Sequence, residues 1–169
     1  MIDAFVSISE TWVVLIYALG MFSLIIGNLI AISQSNFKRL LGYSAIGHIG
    51  FIFLGIATGT QEGLESSLFY VLIYVLMTMV AFMVIEILSS KHHEVKLLKD
   101  LKNLNSSHPW FSLIMLITMC SMIGVPPFAG FYAKWSVLSS LIEANMVYTA
   151  IIAIPVSYTH LTLPTNREV

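Results

Sequence analysis

The sequence predicts an all-α protein, a polytopic bundle of transmembrane helices in which one helix is broken by prolines. Of its 169 residues, 57% are hydrophobic and only 10% are charged, whereas soluble domains carry about 25% charged residues. A small domain cannot bury so much apolar surface, because much of a small domain stays exposed. Several apolar runs approach the roughly 20 residues that a helix needs to cross a bilayer. The chain is therefore predicted to lie in lipid.

Three apolar runs in the first half of the chain predict membrane-spanning helices at residues 11–32, 40–58 and 66–89. Polar segments separate these runs from one another. The second run is rich in glycine, alanine and serine, and such small residues let helices approach closely in lipid. We therefore expect the second helix to lie inside the bundle.

The second half contains an apolar run that is too long for one crossing. Residues 110–142 would form a helix of about 50 Å, whereas the hydrocarbon core of a bilayer is about 30 Å thick. The motif Gly124-Val125-Pro126-Pro127 interrupts this run, because prolines remove hydrogen-bond donors and clash with the preceding turn. We predict half-helices at residues 110–124 and 128–142, with protein or polar groups around the freed backbone atoms. Broken helices of this kind build ion sites in transporters.

The last apolar stretch, residues 147–154, is too short to cross the membrane. Residues 155–169 are polar, contain two prolines and would leave a helix midway through the bilayer. Part of this tail resembles the translation of an adapter used in sequencing libraries. We therefore expect residues 155–169 to be a non-native, adapter-derived tail on a truncated fragment. A genuine short C-terminal tail is the alternative.

Positive charge is concentrated in two connections, residues 33–39 and 90–108. Of the eight Lys and Arg residues, these connections hold Lys38, Arg39, Lys91, Lys96, Lys99 and Lys102. Successive connections alternate sides, so these residues share one side, which the positive-inside rule makes cytoplasmic. The second connection also places leucines among its charges at helical spacing, which predicts an amphipathic helix on the membrane surface.

The sequence contains no motif for a cofactor of its own, and we expect neither a cofactor nor a metal ion in this chain. The single cysteine, Cys120, excludes an intrachain disulfide, a CxxC redox pair and a four-thiolate iron–sulfur site. The glycine-rich signatures of nucleotide sites do not occur in the sequence. The net charge of −1 does not favour nucleic acid as a partner.

Lys134 is the candidate proton-transfer residue. It lies about 10 Å beyond the proline motif and a similar distance from the end of its half-helix, so its side chain does not easily reach the headgroups. An ammonium group at the bilayer centre costs roughly 2.5–3.5 kcal/mol, and removal from water favours the neutral amine. Such an amine can bind and release a proton as nearby charges change. A lysine that extends to the interface for structural reasons is the alternative.

His48 is a candidate proton relay near the middle of the second helix, with Ser44 one turn earlier on the same face. Histidine exchanges protons near neutral pH and often serves in relays within membranes. A neutral histidine that is hydrogen-bonded to a neighbouring helix explains the residue equally well. Tyr70, Tyr74 and Thr78 share one face of the third helix, where helix packing is favoured over a role in holding water on a proton path.

Two motifs resemble signatures of the antiporter-like membrane subunits of respiratory complex I. The first is GNLIAISQSNFKRLLGYS at residues 27–44, followed by IGHIGF at residues 46–51, and the second is GVPPFAGFYAK at residues 124–134. The resemblance covers about residues 1–154 and corresponds to the C-terminal half of a much longer chain. It implies part of an antiporter-like fold.

The resemblance also implies roles for individual residues. Lys134 matches the lysine of the family's second, outward-leading half-channel, and His48 matches the histidine that follows a Tyr-Ser pair. The family's other key groups, a glutamate and several lysines, would lie upstream of Met1. Related sodium/proton antiporter subunits, and the largest antiporter-like subunit of complex I, carry histidines and a lysine in the helix that corresponds to residues 66–89. That helix has none here.

The function implied by the resemblance is proton translocation in a bacterial inner membrane, beside other antiporter-like subunits of the complex. NADH, FMN, iron–sulfur clusters and quinone would be used by other subunits. The alternatives are a cation/proton antiporter subunit of the Mrp type or an antiporter-like subunit of a membrane-bound hydrogenase. A membrane scaffold with a purely structural lysine is a further alternative.

Overall fold

The computed structural model describes residues 9–89 and 104–158, in which every regular element is a helix. The helices are α1 (Ser9–Ile32), α2 (Phe37–Ala57), α3 (Gln61–Leu88), α4 (Leu104–Ser107), α5 (Pro109–Ile123), α6 (Ala129–Glu143) and α7 (Val147–Tyr158). By length and composition, α1, α2 and α3 are each long and apolar enough to cross a membrane. The 15-residue helices α5 and α6 are the two halves of the broken helix. The predicted all-α bundle is therefore confirmed.

Helices α2 and α3 begin earlier than their hydropathy predicted, because their first turns are polar. The predicted starts were residues 40 and 66. Before α2, the side chain of Asn36 accepts a hydrogen bond from the backbone N–H of Arg39 at 3.1 Å. Before α3, the side chain of Thr60 accepts one from the N–H of Gly63 at 3.0 Å. Such caps satisfy donors that the first turn leaves free, so they mark the start of a helix more directly than hydropathy does.

Helix α2 is the most enclosed of the three long spans, as its small residues predicted. Half of its apolar window is buried, compared with 22% for α1 and α3. Its backbone approaches α1 so closely that a Cβ atom on Gly27 would lie 2.5 Å from the backbone nitrogen of Gly47. Close backbone approach at small residues is typical of helix pairs in membranes. With one face of α2 packed on α1, another face is available to contact α3 and α6.

Two buried apolar clusters hold the bundle together. One packs the start of α2 against the end of α3 and against α5. The other packs α2 against α3, α6 and α7. The connection before α2 and the end of α3 therefore lie at one end of the bundle, and its cytoplasmic orientation stays a prediction. Most of the predicted surface helix of residues 90–108 lies outside the described residues, and α4 lies within its last part.

Helix α7 continues through Pro155 to Tyr158, whereas the sequence predicted an end at residue 154. A proline inside a helix removes one hydrogen bond and pushes against the carbonyl of the preceding turn, but the turns on both sides can remain helical. The prediction that residues 155–169 are a non-native tail stays a prediction, and residues 159–169 lie outside the described ranges.

Candidate functional site

The interruption between α5 and α6 begins at Gly124, which ends α5 with a φ of 90°. This left-handed conformation favours glycine, because a Cβ atom would be strained there. The N–H groups of Gly124 and Val125 both donate to the carbonyl oxygen of Cys120, at 3.1 and 3.0 Å. The two prolines follow, and α6 begins at Ala129. The observed half-helices differ from the predicted bounds by one residue at each end.

Side chains from the two half-helices satisfy backbone groups that the break sets free. The hydroxyl of Ser121 on α5 accepts a hydrogen bond from the N–H of Gly130 on α6 at 3.1 Å. The Nζ atom of Lys134 on α6 donates to the carbonyl oxygen of Ile123 on α5 at 2.7 Å. Buried backbone groups without partners are costly, so these two contacts stabilise the break.

Lys134 is buried, with a relative exposure of 8% for the residue. Its stem passes over Gly124, where a Cβ atom would lie 3.0 Å from the lysine Cδ atom. The side chain therefore turns towards the break and not towards the end of α6. The carbonyl end of a helix stabilises a positive charge, and removal from water destabilises it. The amine lies where these two effects oppose each other.

His48 is also buried, and it contacts two tyrosines of α3. Its Nδ1 atom lies 2.7 Å from the hydroxyl oxygen of Tyr70, at hydrogen-bond distance. Its ring stacks on Tyr74, with the centroids 4.6 Å apart. The sequence favours helix packing as the role of Tyr70. In the structure its ring does pack, and its hydroxyl also forms a polar contact with His48. The hydroxyl of Thr78 donates within its own helix, to the carbonyl of Tyr74 at 2.8 Å.

Phe51 is a site residue that no sequence motif predicted. The Nζ atom of Lys134 lies 5.7 Å from the centroid of its ring, within the range of a cation–π contact. The same ring stacks on Tyr70, with centroids 5.7 Å apart and planes at 15°. The available signal was its spacing, because Phe51 lies three residues after His48 and so shares its helix face. One aromatic ring thus contacts both the amine and the partner of His48.

A cavity of about 540 Å³ lies between the first turns of α3 and the second half of α6. Three glutamates and four serines of these two helices contribute to its lining. Along α6 the lining runs from Trp135, the residue after Lys134, to Glu143. The hydroxyl oxygens of Ser66 and Ser140 lie 3.3 Å apart there. The polar lining on α6 therefore extends from Ser136 to Glu143, and Lys134 is not among the lining residues.

Comparisons with known proteins agree with this architecture. NADH-quinone oxidoreductase subunit N of Acidithiobacillus ferrooxidans is 42% identical over 154 residues, which cover 91% of this chain and 32% of that protein. A chain of respiratory complex I from Thermus thermophilus with bound aureothin superimposes with a TM-score of 0.71 and 35% identity, covering 88% of this chain and 34% of that one. The present chain spans about a third of the length of the curated relatives it matches.

A chain of the Mrp complex from Dietzia sp. shares the fold, with a TM-score of 0.76 and 24% identity over 90% of this chain and 28% of that one. A family model described as "NADH:quinone oxidoreductase/Mrp antiporter, TM" matches residues 1–162. That match covers nearly the whole sequence. The chain therefore belongs to the NADH:quinone oxidoreductase/Mrp antiporter transmembrane family.

Proposed function

We propose that this chain is part of a proton-translocating membrane subunit of NADH-quinone oxidoreductase, of the subunit N type. The 42% identity to a subunit N supports the assignment, as does the absence of histidine and lysine from residues 66–89. NADH, FMN, iron–sulfur clusters and quinone would be used by other subunits. The partners would be neighbouring antiporter-like subunits in a bacterial inner membrane, with residues 33–39 and 90–108 on the cytoplasmic side.

The contact between Lys134 and Ile123 carries the proposal. The amine is buried and donates to the carbonyl end of a half-helix. Burial disfavours the ammonium form, whereas the helix end stabilises it. A small change in the charge of a neighbouring group is then enough to shift the balance between the two forms, since charges interact strongly where water is excluded. Redox chemistry elsewhere in the complex would supply that change.

The polar cavity suggests the direction in which the proton leaves. A proton from the interior of the subunit, the side of His48, forms an N–H bond with the neutral amine of Lys134. On release, the amine would leave the carbonyl of Ile123 and turn towards the end of α6, where this bond would break and the proton would pass to water in the cavity that extends to Glu143. By the predicted orientation, that end of α6 faces the non-cytoplasmic side. The lysine therefore alternates between neutral and charged forms once per proton.

Substitution of the lysine in the full-length subunit tests the proposal. In inverted membrane vesicles, we expect Lys134→Met to lower NADH-driven proton pumping by about a hundredfold, the lower end of the range for loss of a proton-transfer group. Lys38→Met is the matched control, because Lys38 is an exposed lysine in the first turn of α2. Normal pumping by an assembled Lys134→Met complex would exclude the role.

A cation/proton antiporter subunit is the second candidate, because the matching family model includes Mrp antiporters. In that case the full-length protein would exchange sodium for protons without an electron donor. We expect no sodium-dependent proton movement when NADH is absent. Its appearance would favour the antiporter.

A further inference from the structure

We infer that Phe51 is the barrier that separates the proton on the His48 side from the amine of Lys134. The inference rests on the proposed function. Within the same site, the Phe51 side chain would control when a proton reaches Lys134. Phe51 is 2% exposed, so its ring occupies space that water would otherwise enter.

The contacts around Phe51 place it on the path. His48 is hydrogen-bonded to Tyr70 at 2.7 Å, and Tyr70 stacks on Phe51. The contacts that connect His48 with Lys134 therefore include two polar side chains, His48 and Tyr70, followed by the apolar ring of Phe51. Lys134 lies 5.7 Å from the centroid of that ring.

Protons move along hydrogen-bonding groups and water, and a phenyl ring is neither. While the ring stays in place, a proton on the His48–Tyr70 pair has no hydrogen-bonded step to the amine through this contact. When the ring moves and water enters, an N–H bond on the imidazolium breaks and an N–H bond on Lys134 forms. Histidine is left neutral and lysine charged, so no further reactant is needed. Excluding water in this way prevents proton leakage between the two groups.

The barrier predicts a specific defect, a proton leak. In the assembled complex with a full-length subunit, NADH oxidation by Phe51→Ala is measured with an uncoupler, so that proton movements are compared at equal rates of electron transfer. The passive proton permeability of resting vesicles rises about tenfold, which corresponds to ~1.4 kcal/mol removed from the barrier, and fewer protons are pumped per NADH. Phe51→Leu keeps an apolar group of similar bulk, and its vesicles stay tight.

Phe53→Ala is the matched control, because Phe53 lies on the same helix but packs against α1 near Gly20. Its vesicles stay tight. Should Phe51→Ala prevent assembly, Phe51→Tyr provides the second test, since it keeps the ring and adds a hydroxyl group, and its vesicles leak. Tight, fully coupled vesicles from an assembled Phe51→Ala or Phe51→Tyr complex overturn the inference. A leak in Phe51→Leu as large as that in Phe51→Ala also overturns it.

The two proposals fail in different experiments. If Lys134→Met alone pumps normally, the proposed function is wrong. If Lys134→Met stops pumping while Phe51→Ala stays tight, only the barrier is wrong. The double variant carrying Phe51→Ala and Lys134→Met leaks less than Phe51→Ala alone, because the open path then lacks the amine. An equal leak in the double variant contradicts a path from Phe51 to Lys134.

Discussion

The Nζ atom of Lys134 lies 2.7 Å from the carbonyl oxygen of Ile123, so an amine on α6 caps the last residue of α5. The contact joins two features that the sequence shows separately, a lysine in an apolar helix and a helix interrupted by prolines. Each compensates for the cost of the other, because the carbonyl gains a donor and the amine gains a partner out of water. The stability of the break and the proposed proton transfer would thus depend on the same atoms.

Lys134→Arg tests whether this position needs only a positive charge or also a proton that can be released. Guanidinium stays protonated in proteins, whereas a buried amine can lose its proton. We expect the arginine variant to assemble and to pump about a hundredfold less, as expected when a proton-transfer group is lost. Pumping and quinone reduction are measured together in vesicles. Pumping at the normal rate would show that charge alone is sufficient at this position.

Gly124→Ala tests whether the shape of the break positions the lysine. Alanine in the left-handed conformation costs about 1–2 kcal/mol, and its Cβ atom would lie 3.0 Å from the Cδ atom of Lys134. We expect a lower thermal unfolding temperature and reduced pumping. Gly42→Ala is the control, because a Cβ atom there meets nothing within 4 Å. If both variants behave alike, Gly124 has no special role.

Ser121→Ala removes the hydroxyl that accepts the N–H of Gly130. A buried donor that loses its partner costs about 1–3 kcal/mol, so we expect the solubilised complex to unfold at a lower temperature. Ser33→Ala serves for comparison, since its exposed hydroxyl donates to the backbone near the end of α1 and its loss costs little. Equal stability of the two variants would contradict the importance of the Ser121 contact.

Tyr70→Phe deletes the hydroxyl bonded to His48 and keeps the ring that stacks on Phe51. Because a buried nitrogen of His48 then loses this partner, we expect a loss of about 1–3 kcal/mol in stability and slower pumping. Tyr132→Phe provides the reference, since Tyr132 is 57% exposed on α6. Stability and pumping are measured on the same preparations. Unchanged values for Tyr70→Phe would reduce its role to packing.

Much of the fold is predictable from the sequence, because the relevant signals are local. Apolar length predicts α1, α2 and α3, and two prolines after Gly124 predict the break. The predicted starts of α2 and α3 are wrong for one reason. Hydropathy reports only the part of a helix that lies in lipid, whereas the caps at Asn36 and Thr60 begin each helix several residues before its apolar run. The end of α7 was misplaced because Pro155 does not end the helix.

The sequence by itself determined that a lysine stands in an apolar half-helix beside a proline break, since composition, spacing and backbone chemistry along one segment are enough for that. Only the tertiary structure determined its partners, the carbonyl of Ile123 and the ring of Phe51, and the bond between His48 and Tyr70. Those contacts depend on how the helices rotate and how closely they approach one another. That geometry is set by packing between segments distant in sequence, where no local pattern specifies which side chains meet.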